Sequence, residues 1–352
     1  MVTRDDLLVS ALADAYDLGP WESIEMLPGG KSDHYRLIAG SGDYAIRRSH
    51  SSRTSADLCF EHELVAHLRD NGFPAPVVVP TVSGDTCAAV DGDLYSVSMF
   101  VDGSGYEAGN AEHLRESARA LAEYHRISAS FQPLSSRSQE PLLNEILRER
   151  LTKMPPPEAI SDFADAYVDR NAQIPDLLES LYYALEESED VLGLLDWLYP
   201  KLPLLTIHGG CGHGSVLFSG DRLITMLDFD SARYEAQAPD LAIALHDFVK
   251  VFGERGSPDF KIPLDLEIVS GFLGAYLQVN PLEPAEVEAL PALLAARPLK
   301  RTLGNYRSMI EEARVSQGHV RKSAQEVARV RWLKAHGQEL RTVLWSALQV
   351  TS

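Results

Sequence analysis

The chain has 352 residues, of which 45% are hydrophobic and 24% are charged, and this globular composition excludes global disorder. The 51 acidic residues outnumber the 32 Lys and Arg residues, and the formal net charge of −19 argues against a broad nucleic-acid-binding surface. The three scattered cysteines argue against a disulfide framework, and no apolar stretch reaches the about 18 residues of a membrane span. We therefore expect a cytoplasmic protein with no nucleic-acid or membrane partner.

The first hundred residues alternate between strand-like runs and turn signals. Apolar residues at helical spacing predict a short amphipathic helix over 5–17. Strand-like runs separated by glycine-rich turns follow at 34–39, 44–47, 77–81 and 95–101, and a single helical pattern lies at 56–71. The pattern predicts a small, sheet-rich N-terminal lobe that ends near residue 102.

The rest of the chain has mainly helical periodicity. A helix is predicted over 111–128, and the acidic segment 141–200 predicts helices with solvated, negatively charged outer faces. Two strand-like runs at 204–207 and 223–229 flank a glycine-rich loop, and helical patterns resume at 240–252, 264–277 and 324–348. Segment 297–341 carries eleven Lys and Arg against four acids, and we predict solvated helix faces there, with docking of an acidic partner or peptide as the alternative.

The most informative segment is 204–240. A strand enters the loop His208-Gly-Gly-Cys-Gly-His213-Gly-Ser215, a hairpin follows, and a second strand leads into Asp228-Phe229-Asp230. Residues two apart on a strand face the same side, so both carboxylates reach one Mg²⁺ if Asp230 is still extended. The ordinary alternative is an Asp-Phe-Asp that simply ends a strand.

The order of these motifs resembles the aminoglycoside phosphotransferase / choline kinase-like family, over nearly the whole chain. The resemblance implies an α+β, bilobal, protein-kinase-like fold. Residues 1–102 would form the nucleotide-covering N-lobe, and residues 103–352 the helical C-lobe with a catalytic-loop-like segment at 204–233. It also implies ATP, or another nucleoside triphosphate, and Mg²⁺ as cofactors.

The resemblance assigns nucleotide-binding roles to several residues. Arg47 stands where the family has the phosphate-binding lysine, and Glu61 stands at the helix glutamate that partners it, although a purely structural ion pair is the alternative. The other assigned positions are the glycine hairpin and the adenine-binding hinge, namely Gly29, Gly30, Met99 and Val101.

The catalytic loop departs from the family pattern. The family's catalytic aspartate aligns with Gly210 and its metal-binding asparagine with Ser215, whereas Asp228 is kept and Asp240 matches the aspartate that braces the loop. Gly210 has no side chain and cannot act as a base, and general-base assistance is worth roughly 10²–10⁴-fold in rate.

Two nearby groups are candidates to replace the missing ones. His213 is the provisional base, although a loop-bracing histidine is the alternative, and Asp230 joins Asp228 and Ser215 as a candidate metal ligand. His208 and Cys211 are expected to be structural. The glycines either form an anion-binding nest of amides or are a relaxed loop.

Two functions therefore remain open from the sequence. One is an atypical ATP- and Mg²⁺-dependent phosphotransferase that acts on a hydroxyl group of a small molecule or peptide. The other is a pseudokinase-like binding or scaffold subunit of a modifying-enzyme complex, with a protein partner and without transfer activity. Different transfer or lyase chemistry on the same fold is a third, weaker possibility. The acceptor is not readable from the chain.

Overall fold

The computed structural model describes residues 4–27, 32–135, 140–168, 175–249 and 264–350. Its strands are, in chain order, β1 Trp21–Leu27, β2 Asp33–Ala39, β3 Gly42–Arg48, β4 Val78–Val79, β5 Ala88–Val90, β6 Asp93–Met99, β7 Ser104–Gly105, β8 Leu204–Ile207, β9 Val216–Ser219, β10 Arg222–Met226 and β11 Arg233–Ala236. Its helices are α1 Arg4–Tyr16, α2 Ser55–Asp70, α3 Ala111–Ser128, α4 Leu143–Thr152, α5 Pro157–Val168, α6 Pro175–Leu198, α7 Gln237–Phe248, α8 Leu266–Leu277, α9 Pro284–Glu311, α10 Gln317–Ala335 and α11 Gly337–Val350. Single 3₁₀ turns lie at Tyr199–Lys201, His213–Ser215 and Phe229–Ser231.

Contacts divide the chain into two compact units. Unit 1 consists of residues 1–139 and 213–232, and unit 2 consists of residues 140–212 and 233–352. The predicted lobe boundary after residue 102 follows secondary structure rather than contacts, and it stays a prediction. A sheet-rich unit 1 and a helical unit 2 confirm the predicted α+β class.

Unit 1 is built on an antiparallel sheet. The strand order is β1-β2-β3-β6-β4, with β5 paired to β6. Alternating residues of the central strands are buried in one cluster, among them Leu37, Ile46 and Val97, and α1 adds Val9 and Leu12 to it. Burial on alternate positions fixes the register, because a shift by one residue would expose every one of these side chains.

Helix α2 confirms the helix predicted over 56–71. Thr54 caps its N-terminus in a reciprocal capping box with Asp57, which satisfies two backbone donors that no helical carbonyl reaches. Its apolar face buries Leu58, Leu64 and Leu68. Glu61 lies among these buried positions, so the packing of the helix fixes where that carboxylate points.

A second sheet in unit 1 has the order β10-β9-β7. The predicted strand over 223–229 is wrong in its last residues, because β10 ends at Met226 and a 3₁₀ turn occupies Phe229–Ser231. Asp228 caps that turn in the left-handed conformation, with φ at 68°, which no strand residue adopts. Aspartate is one of the few non-glycine residues that tolerate this region.

Unit 2 consists of helices around the two-stranded β8–β11 ladder. The 28-residue α9 begins at Pro284, well before the helix faces predicted from residue 297, and Pro291 and Pro298 both lie inside it although proline interrupts helical patterns. The single helix predicted over 324–348 is two helices that meet at His336. The end of the helix predicted over 240–252 lies outside the described residues.

The charged faces of unit 2 agree with the sequence only in part. Most described acids of α4–α6 are exposed as predicted, but Glu187 is buried and pairs with Lys334. The prediction of solvated basic faces is wrong for Lys300 and Arg329, whose side chains are half-buried or more. Within the described ranges, no helix has the length and apolar character needed to cross a membrane.

One buried carboxyl group of unit 2 gives a test by pH. Burial raises the pKa of Glu286 from 4.5 to about 7, although the side chain accepts hydrogen bonds from Gln237 and from the Glu283 amide. A carboxyl group whose pKa is raised by folding contributes its full stabilisation below its pKa in the unfolded chain. This contribution is lost as pH rises through 7.

We expect Glu286→Gln to become more stable than the wild type as pH rises from 5 to 8, by at most about 3 kcal/mol at pH 8. The measurement is the free energy of unfolding in urea at both pH values. Exposed Glu288 on the same helix supplies the control Glu288→Gln, for which no such pH dependence is expected. If the difference in free energy of unfolding between Glu286→Gln and the wild type is the same at pH 5 and pH 8, the raised pKa of Glu286 is contradicted.

Candidate active site

The predicted pair of Arg47 and Glu61 forms. Arg47 Nη2 lies 2.7 Å from Glu61 Oε1, and the side chains are only 16% and 6% exposed. Strand β3 supplies the arginine and the buried face of α2 supplies the glutamate. Because both elements are fixed by their own packing, the ion pair has little freedom to rearrange.

A second arginine completes the group. Arg53 Nη2 lies 3.0 Å from Glu61 Oε2, so each oxygen of one carboxylate holds a different guanidinium. Arg53 Nη1 also donates to the backbone carbonyl of Asp230 at 2.5 Å. Arg53 therefore ties the turn that follows Asp228 to the Arg47–Glu61 pair.

These arginines line a pocket of about 320 Å³ within unit 1, called here the arginine pocket. Its lining residues are Ser32, Arg47, Ser49, His50, Ser52, Arg53 and Asp230. Among the lining residues, Arg47 and Arg53 carry two positive charges against the one carboxylate of Asp230, and Glu61 pairs with both guanidiniums from outside the lining. Guanidinium groups and serine hydroxyls are the donors that phosphate oxygens accept from.

His34 lies beside this group and was not singled out from the sequence. It is the cross-strand partner of Arg47 on β2. Burial and then the positive charge of Arg47 lower the pKa of His34, and the negative charges of Asp228 and Asp230 oppose that shift. Both aspartates therefore lie within electrostatic reach of the same imidazole.

The premise behind the predicted aspartate pair is wrong, while the pair itself stays a prediction. Asp230 is not extended but lies inside the 3₁₀ turn that Asp228 caps. Asp228 is exposed and Asp230 is half-buried. The turn, not the alternation of a strand, decides the directions of these two carboxylates.

The fit of this region to Mg²⁺ depends on phosphate. Among the described residues, no three His, Cys, Asp or Glu side chains are arranged to hold a metal ion. Mg²⁺ is commonly held by one or two carboxylates together with phosphate oxygens and water. The chemistry of Asp228 and Asp230 fits an ion that arrives with a nucleotide and does not fit a cage made by protein alone.

The other loop residues of unit 1 are held by packing. The His213 ring stacks on Tyr106, with ring centroids 4.4 Å apart and planes 9° apart. Ser215 is buried, and its carbonyl accepts from the Leu227 amide at 2.8 Å. The stacking fixes the orientation of the His213 ring. Its role as a base and the role of Ser215 as a metal ligand stay predictions.

In unit 2, Asp240 braces the start of the glycine-rich loop as the resemblance implies. The two oxygens of this fully buried carboxylate accept from the amides of His208 at 2.7 Å and Gly209 at 3.0 Å. Gly209 has φ at 77°, a conformation that favours glycine. The buried His208 ring in turn accepts from the Gly210 amide at 3.3 Å.

This bracing takes two amides out of the proposed anion-binding nest, whereas the nest and the relaxed loop both stay predictions for the rest of the loop. The amides of Gly209 and Gly210 already donate to Asp240 and His208. Packing explains the glycine at position 212, because a Cβ there would overlap the carboxylate of Asp247. Cys211 is fully buried, in agreement with the predicted structural cysteine.

The remaining predicted positions are placed as follows. Met99 ends β6 and Val101 lies two residues beyond it, in the segment that leaves the sheet. Gly29 and Gly30 lie outside the described residues. Their predicted contacts with a nucleotide stay predictions. The sequence analysis did not identify Arg53 as a site residue. Arg53 lies in the turn before the N-cap of α2, and sequence spacing does not show towards which group a side chain in that turn points.

The family comparison decides the relationship. A model of the phosphotransferase enzyme family matches residues 23–282, about three quarters of the chain. The chain belongs to the phosphotransferase enzyme family. The homoserine kinase of Parvibaculum lavamentivorans (strain DS-1) is 28% identical over 295 residues, which cover 82% of this chain and 81% of that protein.

Solved structures confirm the phosphotransferase fold. The aminoglycoside phosphotransferase from Alicyclobacillus acidocaldarius aligns with a TM-score of 0.71 at 18% identity, over 96% of each chain. The amicoumacin kinase hAmiN, solved with AMP-PNP and Ca²⁺, aligns with a TM-score of 0.68 at 16% identity, over 93% of each chain. The resemblance to aminoglycoside phosphotransferases and choline kinases, with its bilobal protein-kinase-like fold, is thereby confirmed.

Neutralising Glu61 tests the arginine pocket. Glu61→Gln leaves two guanidiniums side by side with no carboxylate between them, and breaking such a buried pair costs about 3 kcal/mol. We expect a lower midpoint in urea unfolding, and inorganic phosphate should recover part of the loss by binding the exposed charges.

Asp70→Asn removes an exposed carboxylate from the same helix and is the matched control. Equal stability of Glu61→Gln, Asp70→Asn and the wild type would show that Glu61 does not hold the arginines together.

Proposed function

We propose that this protein is an ATP-dependent small-molecule kinase that transfers a phosphoryl group to an acceptor hydroxyl. The observation that carries the proposal is the arginine pocket, in which Glu61 holds Arg47 and Arg53 beside the turn of Asp228 and Asp230. The family match and the homoserine kinase relatives support a small-molecule acceptor. They provide no support for a peptide acceptor.

The proposed roles follow from charge and position within unit 1. Arg47 and Arg53 would bind the phosphates of the nucleotide, and Met99 and Val101 would lie beside its base. Asp228 and Asp230 would hold Mg²⁺, which supplies positive charge that neutralises phosphate oxygens. Enzymes of this chemistry mainly position groups and neutralise charge, so a correctly placed pocket retains much of the catalysis.

The replaced loop residues set the expected rate. Gly210 cannot accept a proton, and His213 is the proposed base, with its ring oriented by Tyr106. We expect slow transfer, because general-base assistance is worth roughly 10²–10⁴-fold and an imidazole here replaces a carboxylate. The pseudokinase-like alternative gains no support from the comparisons, and it is the outcome in which ATP binds without any transfer.

Neutralising Asp228 tests the proposed metal and phosphate chemistry. With ATP, Mg²⁺ and L-homoserine as acceptor, Asp228→Asn should lower kcat/KM by about 100-fold, since it removes charge that acts in the transition state. ADP release and phospho-acceptor formation are the measurements, and Asp70→Asn is the control with expected wild-type rates. Equal rates for Asp228→Asn and the wild type would refute the role of Asp228.

Restoring the family residues tests the base. Gly210→Asp combined with Ser215→Asn should raise kcat by about 10-fold or more, because it returns a carboxylate base and a better metal ligand. In the wild type His213→Gln should lower kcat, whereas in the restored background it should have little effect. If His213→Gln leaves the wild-type rate unchanged, His213 is not the base, and a thermal shift with ATP but no transfer in any variant would favour the pseudokinase alternative.

A further inference from the structure

A group of positive side chains lies in unit 2, apart from the arginine pocket of unit 1. Helix α9 carries Arg297, Lys300 and Arg301 on one face, at spacings of three and four residues. Arg150 of α4 and Arg233 of β11 lie within electrostatic reach of Lys300. We call these five residues the cationic cluster.

Two contacts locate the cluster. A Cβ on Gly304, one turn beyond Lys300, would lie 3.0 Å from Arg150 Nη1, so the absence of a side chain there lets the guanidinium reach α9. Burial, and then the charges of Arg233, Arg297, Arg301 and Arg150, lower the pKa of Lys300 to about 8. Burial likewise lowers the pKa of Arg297 to about 10.

Carboxylates pair with several members of the cluster. Arg301 pairs with Glu326 at 3.2 Å, and Arg233 lies 3.7 Å from Glu235 and 4.0 Å from Glu140. Asp247 and Glu326 are electrostatic neighbours of Arg297. Burial raises the pKa of Glu235, and its side chain accepts hydrogen bonds from the amides of Leu143 and Ala236. In the described part of the chain, Arg150, Arg297 and Lys300 form no ion pair.

The charges that lower the pKa of Lys300 all belong to arginines, and a bound anion would offset the cost of burying a positive charge among them. The cluster also lies beside the glycine-rich loop within unit 2. Arg233 is the cross-strand partner of Ile207, the residue before His208. Asp247, whose carboxylate packs on Gly212, is also an electrostatic neighbour of Arg297.

We propose that the cationic cluster binds an oxyanion, a carboxylate or phosphate group, carried by the acceptor substrate. The identity of the ligand as the acceptor rests on the proposed kinase function, whereas the binding of an oxyanion rests on the cluster alone. It distinguishes this protein from kinases whose acceptors are purely cationic, because Lys300 and Arg150, which form no ion pair within the described residues, would repel such a molecule. A hydroxy acid or a phosphorylated alcohol fits the site.

The first test measures anion binding without catalysis. The thermal midpoint of the full chain is compared in sodium phosphate, sodium acetate and sodium chloride at equal ionic strength and pH 7. We expect phosphate, acetate or both to raise the midpoint of the wild type by a few degrees above chloride. The phosphate and acetate arms show which oxyanion the cluster prefers.

Lys300→Met and Arg150→Met should lose most of that anion-specific rise, and the exposed lysine variant Lys322→Met should keep it. Lys300→Met removes an unpaired buried charge, so we expect it to fold at least as well as the wild type in chloride. Phosphate bound at the arginine pocket shifts all variants alike, so only the difference between variants counts. Identical rises in all four proteins, or no anion-specific rise in the wild type, would overturn the proposal.

The second test asks whether the oxyanion belongs to the acceptor. L-homoserine and 3-aminopropan-1-ol share the hydroxyl and the amine and differ by one carboxylate. We expect kcat/KM to be at least about 10-fold higher for L-homoserine, and Lys300→Met to narrow that ratio. Equal use of both acceptors, with Lys300→Met unchanged, would refute the anionic acceptor and leave the kinase proposal standing.

The two proposals fail in different ways. Loss of the anion-specific midpoint rise in Lys300→Met, with no transfer to any acceptor, supports the oxyanion site and refutes the kinase function.

Discussion

The organisation of unit 1 depends on one carboxylate between two guanidiniums. Glu61 is buried on α2, and its two oxygens hold Arg47 of β3 and Arg53 of the turn before α2. Removing charges from water is costly, and good geometry together with further hydrogen bonds is what offsets that cost. Here the second arginine also binds the Asp230 carbonyl. The same contacts therefore join the sheet, the helix and the aspartate turn, and they place both guanidiniums at the pocket.

The start of the glycine-rich loop is held by buried groups that act on its backbone. Asp240 accepts from the amides of His208 and Gly209, and the His208 ring accepts from the amide of Gly210. The bracing groups are buried and act on the backbone, so they do not depend on which side chains the loop carries.

Charge is distributed unevenly over an acidic protein. The chain has a net charge of −19, yet positive side chains concentrate at the arginine pocket of unit 1 and at the cationic cluster of unit 2. A bound anion would compensate the unpaired charges of the cluster, and the acids elsewhere on the surface do not, because they are solvated and screened beyond about 10 Å. Local composition around a site is thus a better guide to its ligand than the net charge of the chain.

The sequence by itself determined the α+β class, most strands and helices and the family, because hydrophobic periodicity and motif order are local properties, and the family resemblance implied the pairing of Arg47 with Glu61. It did not determine the length of α9, since prolines conceal a helix that tertiary packing stabilises. Only the tertiary structure showed that Asp228 adopts a left-handed conformation and that Arg53 pairs with Glu61. It also placed Lys300, which the sequence predicted to be solvated, near Arg150 and Arg233. These features depend on residues brought together from distant parts of the chain, and spacing along the sequence has no information about such distances.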